Sequence, residues 1–72
     1  MTPHEGLSAR NHLPGTIEEI ASGSIMCHVV ISVGEHQIES VITRRSAEEL
    51  HLQKGDRVTA VVKATEVMIS KP

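Results

Sequence analysis

The sequence predicts an all-β domain with one short helix, and three observations carry that reading. From Ser24 to Val33 apolar residues alternate, so that Ile25, Cys27, Val29, Ile31 and Val33 share one face, the period of a half-buried strand. Gly34-Glu35 fits a two-residue hairpin loop with Gly first. Folding across that loop pairs Ile31 with Ile38, Val29 with Ser40 and Cys27 with Ile42, and apolar meets apolar on one face. Ser46-Ala47-Glu48-Glu49 then has the pattern of a capping box, with Ser46 as cap and Glu49 reaching back.

The remaining elements follow in order. Residues 1–7 read as a flexible lead containing Pro3 and Gly6, and residues 8–72 as one domain. Pro14-Gly15 opens a first strand over Thr16 to Ala21, anchored by Ile17 and Ile20. Their spacing breaks strict alternation and implies a bulge or a helical turn. Ser22-Gly23 is a turn. The second face of the hairpin carries Met26, His28, Val30 and Val41 among Ser32, Gln37 and Glu39; it is too apolar for plain exposure and is a candidate subunit contact. The helix ends near Leu50 to Leu52, Lys54-Gly55-Asp56 is a turn, and Val58, Ala60 and Val62 alternate along a fourth strand running into Lys63. Val67 and Ile69 give a brief last strand with Met68 on its other face. Five strands with a helix between the third and fourth are the layout of an OB-fold barrel; another small barrel, or half a sandwich completed by a partner, shares the pattern.

Composition bounds the function. A chain of 72 residues is small enough to need a staple. Cys27 is its one cysteine and it has no Phe, Trp or Tyr, so neither a disulfide nor an aromatic core supplies one. A second copy of the chain is the remaining common remedy, and a homo-oligomer is expected. The formal charge of −2 disfavours nucleic acid, which requires a basic face, and the missing aromatics remove base-stacking platforms. The opening Met-Thr-Pro-His-Glu-Gly lacks a basic start and an apolar run, so no signal peptide is expected. The longest apolar run, Val29 to Ile31, is far too short for a bilayer. The expectation is a reduced, cytoplasmic protein without membrane or nucleic-acid partners.

His4, His12, His28, His36 and His51 show no ligand spacing, so ordinary histidines outweigh a metal site. Cys27 alternates with core residues and is expected to pack. No nucleophile stands beside a base and no carboxylate pair is fixed in a cleft, so no enzyme and no cofactor are expected. Three segments do suggest chemistry: Ser8-Ala9-Arg10-Asn11, Ile42-Thr43-Arg44-Arg45-Ser46 and Lys63-Ala64-Thr65. Each brings hydroxyls and a cation to the end of an element. Donors of that kind suit a tetrahedral dianion, with Arg10 and Lys63 balancing its charge. The plainer reading makes Ser8, Thr43, Ser46 and Lys63 caps and strand ends.

At these segments the sequence resembles the molbindin family, small molybdate-binding proteins of the Mop (TOBE-type) domain. The matching motifs are SARN followed by Gly15, ITxxS at Ile42 to Ser46, Leu50-x-Leu52-x-x-Gly55, and VVKATEVMI at Val61 to Ile69. They span residues 7–70. The resemblance implies an OB-fold assembled as a hexamer, a trimer of dimers, with molybdate or tungstate held between subunits. By matching position it implies Ser8, Ala9 and Arg10, Thr43 and Ser46, and Lys63, Ala64 and Thr65 as the oxyanion contacts, with no direct protein–metal ligation. Thr65 replaces the Ser common in the family and keeps its hydroxyl; the longer lead, His12 and the Arg44-Arg45 pair depart from the pattern. Intracellular molybdenum storage is the implied role, and a regulatory or interaction module of molybdate sensing or transport is the alternative.

Overall fold

A computed structural model describes residues 10–72. In it β1 (Asn11–Ser22), β2 (Met26–Val33), β3 (His36–Thr43), α1 (Arg44–Glu49) and β4 (Arg57–Val62) follow one another, and a 3₁₀ turn over Ala64–Glu66 closes the sequence of elements. The strands form one antiparallel sheet in the order β3-β2-β1-β4. The all-β class and the single helix between the third and fourth strands are as the sequence expects. The sheet of the described residues has four strands and its edges do not join.

The central hairpin has the expected register, with Ile31 opposite Ile38, Val29 opposite Ser40 and Cys27 opposite Ile42. Gly34 takes φ 60° in its loop, a conformation that glycine adopts without a Cβ penalty. The expected irregularity between Ile17 and Ile20 is a β-bulge: the β1–β2 register shifts between Ile17 and Glu19. An extra residue there lets both isoleucines face the core despite their odd spacing. Ile25, expected on the core face, precedes β2 and is 73% exposed.

The first strand begins at Asn11 rather than Thr16. Asn11 to Thr16 pair with β4, whereas pairing with β2 begins at Thr16. Pro14 therefore stands where the strand is paired on one side, the setting in which a sheet tolerates proline. Gly15 is required by packing: a Cβ there would collide with the Ser32 carbonyl oxygen and come within 2.9 Å of the Val33 side chain.

The core cluster is Ile17, Cys27, Val29, Ile31, Ala47 and Ala60, with Leu13, Ile20, Val33, Ile38, Ile42, Leu52 and Val58 packed against it. Cys27 is fully buried, its Sγ 3.4 Å from the Ser22 hydroxyl. The expected last strand over Val67 to Ile69 is not formed. The 3₁₀ turn leads the chain off the end of β4, and Met68 and Ile69 are about nine-tenths exposed; no edge of the described chain receives them.

Helix α1 stops in a Schellman motif: His51 N–H donates to the Glu48 carbonyl at 3.0 Å and Leu52 N–H to the Ala47 carbonyl at 3.1 Å. That motif puts His51 at φ 53°, where most L-residues are strained by about 1–2 kcal/mol. Replacing His51 with Gly should therefore raise stability by about 1 kcal/mol, a rise of about 4–8 °C in melting temperature for a domain of this size. Gly15→Ala should lower it by about 1–3 kcal/mol through overpacking. Thermal unfolding by circular dichroism at one fixed protein concentration checks both signs.

Candidate functional site

The first candidate group lies where β3 becomes α1. Thr43 is still extended, with φ −70° and ψ 148°, and its Oγ1 accepts the Ser46 backbone N–H at 3.0 Å. Thr43, not Ser46, is thus the N-cap. The sequence pattern misleads because Ser46-x-x-Glu49 fits the capping-box template while Thr43-Arg44-Arg45-Ser46 does not, although arginine is a good helix former and extends the helix backwards. Glu49 does not reach the helix start; it accepts from Arg45 Nε at 3.1 Å, and Arg44 Nε lies 3.5 Å from Glu48. Both pairs are exposed and contribute little.

The cap leaves one useful donor. The Thr43 hydroxyl, having accepted from Ser46 N–H, donates to Ser46 Oγ at 2.8 Å. The hydrogen of the Ser46 hydroxyl is then available to an external acceptor, at the end of a short chain of mutually polarising bonds. The concavity beside it is lined by Ser24, Ile25, Thr43, Arg44, Arg45 and Glu48.

The second group lies at the far end of β1. Asn11 pairs with Val62 in the β1–β4 ladder, and its side-chain amide donates to the Val62 carbonyl at 3.1 Å. The Asn11 amide therefore clamps two chain segments together, a structural use that the clustering of donors in the sequence does not reveal. The clamp sets exposed Arg10 and Lys63 at the same end of the ladder. Lys63 precedes the 3₁₀ turn in extended conformation and makes no side-chain cap bond, so the leading N–H groups at Ala64 and Thr65 have no side-chain cap. Thr65 and Glu66 are exposed in the same turn. Ser8 and Ala9 lie outside the described residues.

One chain brings Arg10 together with Lys63, Ala64 and Thr65, and Thr43 together with Ser46, but it does not join the two groups. They stand at opposite ends of β1, whose 12 residues run roughly 35 Å along the backbone at ~3.3 Å each. No hydrogen bond or ion pair links them among the described residues. Elsewhere, His28 Nε2 meets Glu39 Oε1 at 2.7 Å on the outer face of the hairpin. Among the described residues no three of His, Cys, Asp and Glu converge as a metal site. No helix of the described residues is long and apolar enough to cross a membrane.

An OB-like sheet with donor groups at its strand ends defines a small-ligand binding module, and residues 7–69 match the TOBE domain. The chain belongs to that family, among the small molybdenum-pterin-binding (molbindin) proteins, a family of binding proteins rather than of enzymes. It is 42% identical over 64 residues to molybdenum-pterin-binding protein 1 of Clostridium pasteurianum, covering 88% of this chain and 94% of that one. The structure of a molybdate-binding protein from Sporomusa ovata superposes with a TM-score of 0.87 at 40% identity, over 90% of this chain and 97% of the other. The cytoplasmic molybdate-binding protein ModG, with molybdate bound, matches with a TM-score of 0.78 at 37% identity, over 89% of this chain and 48% of ModG.

The double role of Thr43 predicts a separable pair of variants. Thr43→Ala should cost about 1 kcal/mol of stability through loss of the cap, whereas Thr43→Ser should retain most of it. Chemical denaturation midpoints for the two variants give the comparison directly.

Proposed function

We propose that the protein binds molybdate, or tungstate, between copies of the chain in a homo-oligomer, with six copies as a trimer of dimers, and serves as a cytoplasmic molybdenum store with no catalytic activity of its own. The observation that carries the reading is the division of the donors: the Thr43–Ser46 hydroxyls and the Arg10, Lys63, Ala64 and Thr65 group stand apart in one chain, within a family whose relatives include molybdate binders. A second copy can supply what one copy lacks. Ser8 and Ala9 belong to the same proposed set by their place in the motif.

The donors explain the ligand class. A tetrahedral dianion accepts from every direction, so hydroxyls, uncapped backbone N–H groups and two fixed cations serve it without any acceptor. Phosphate near neutral pH carries a proton that needs an acceptor, and a donor-only set leaves that proton opposed. Calorimetry should therefore show tight binding of molybdate and tungstate that phosphate does not displace. Effective competition by phosphate would place the Glu66 carboxylate against the ligand and overturn the donor-only set.

Lys63 tests the charge. Lys63→Met keeps most of the aliphatic stem and removes the charged donor. Loss of one partner of a charged contact buried at an interface costs about 2–5 kcal/mol, or about one and a half to more than three decades of affinity. The ligand-free oligomer should keep its mass in sedimentation. Dissociation of the variant, with monomers that still bind molybdate normally, would make Lys63 a structural residue instead.

A further inference from the structure

The two cations of the proposed site stand where the fold does not favour them. The β1–β4 ladder pairs His12 with Val61 and Asn11 with Val62, and the same register sets Arg10 opposite Lys63, one step beyond the last pair. Opposed residues of an antiparallel pair have Cα atoms about 4.5–5.5 Å apart, and like charges placed there repel. Among the described residues no carboxylate lies within ion-pair distance of Arg10 or Lys63. The support around them is thin as well. β1 pairs with β2 only from Thr16 onward, so its stretch from Asn11 to Gly15 meets β4 alone, and a two-stranded ribbon is marginal by itself. Repulsion at the open end of such a ribbon favours fraying.

Two bonds oppose it. The Asn11 side-chain amide crosses to the Val62 carbonyl at 3.1 Å, joining positions 51 residues apart in sequence. On the other side of Lys63, its own carbonyl accepts the Glu66 N–H at 2.9 Å and closes the 3₁₀ turn. The turn bond fixes Lys63 to the chain that follows it, whereas the Asn11 bond fixes it to the strand of Arg10.

We propose that Asn11 is a positioning residue for the oxyanion: its amide holds Arg10 and Lys63 opposite each other against their repulsion, so that the pair of cations is assembled before the dianion arrives. Asn11 touches no ligand in this role. It moves the work of bringing two cations together from the binding step to folding, and a preorganised pair binds more tightly than one that must first close. A bound dianion attracts both cations and takes over the task of the clamp, so the bond matters most in the ligand-free protein. The inference rests on the reading of Arg10 and Lys63 as oxyanion contacts and adds what holds them there.

A double-mutant cycle tests the role, with molybdate titrated by calorimetry. Asn11→Ala in the parent chain should weaken binding about threefold to tenfold, the worth of one net hydrogen bond. In the Lys63→Met chain Arg10 faces no like charge, and the same substitution should change affinity by about twofold at most, the resolution of such cycles. An equal loss in both chains would make Asn11 a residue of the fold alone and overturn the proposal. Asn11→Leu, which keeps the branching without the donor, should repeat the coupling where Ala leaves too little side chain for folding. Hydrogen exchange without ligand tests the clamp apart from the anion. In Asn11→Ala the ladder amides from Asn11 to Leu13 and from Ala60 to Val62 should exchange faster than in the parent, and adding Lys63→Met should slow them again. Exchange that ignores Asn11→Ala removes the clamp and leaves the oxyanion reading intact; faster exchange reversed by Lys63→Met, in a protein that binds no molybdate, removes the oxyanion reading and the positioning role with it.

Discussion

Strand β1 holds the molecule together by changing partner halfway along its length. Asn11 to Thr16 pair with β4, and Thr16 to Ser22 pair with β2. Thr16 belongs to both ladders. At that handover the backbones of β1 and β2 approach so closely that Gly15 has no room for a Cβ. One residue on, Ile17 is almost wholly buried, and its N–H and carbonyl bond Asp56 and Gly55 of the loop before β4. The bulge after Ile17 then turns the second half of the strand. Every other element is positioned by this strand: β2 and β3 from its second half, β4 and the 3₁₀ turn from its first.

A sheet organised in this way leaves a small core. Six buried residues make its centre, none of them aromatic, while Leu50, Val61, Met68 and Ile69 remain exposed. At about 1.5–3 kcal/mol for each large side chain fully buried, such exposed groups represent stabilisation that a single chain forgoes. Surface of this kind on so short a chain is the physical argument for association, and it is independent of any ligand.

The central hairpin was legible in the sequence because two constraints coincide there. Strict alternation sets the faces and the Gly34-Glu35 loop sets the register, leaving no second solution. The irregularity after Ile17 was legible for a related reason, since the spacing of Ile17 and Ile20 breaks strict alternation; whether it was a bulge or a helical turn was not, and the register with β2 decides for the bulge. The misreadings have a common origin in neighbours distant in sequence. Pro14 looks like a break until β4 is seen to pair one side of β1 alone. Thr43 looks like the last strand residue, which it is, and its second use as a cap depends on where the backbone turns. The Val67–Ile69 pattern is that of a strand, but alternation alone does not supply the neighbouring edge a strand requires, and none of the described residues pairs with it. Of the candidate site, the motifs identified the donor types, while the clamp by Asn11 and the hydroxyl relay from Thr43 to Ser46 depend on how the backbone turns and pairs.

The proposed division of the oxyanion site between the ends of β1 carries a thermodynamic consequence. If donors from two copies must meet on one anion, the anion binds the assembled state and not the separated chains. Ligand and assembly then share one equilibrium, and free ligand stabilises the oligomer by mass action in proportion to the logarithm of its concentration over the dissociation constant. By linkage, whatever strengthens association strengthens binding by the same factor. On that proposal, a chain without aromatics, disulfide or large core would have its marginal stability coupled to the ligand it holds. The polar ends of β1 and the exposed apolar surface, which look like separate features of one chain, would then act on the same equilibrium.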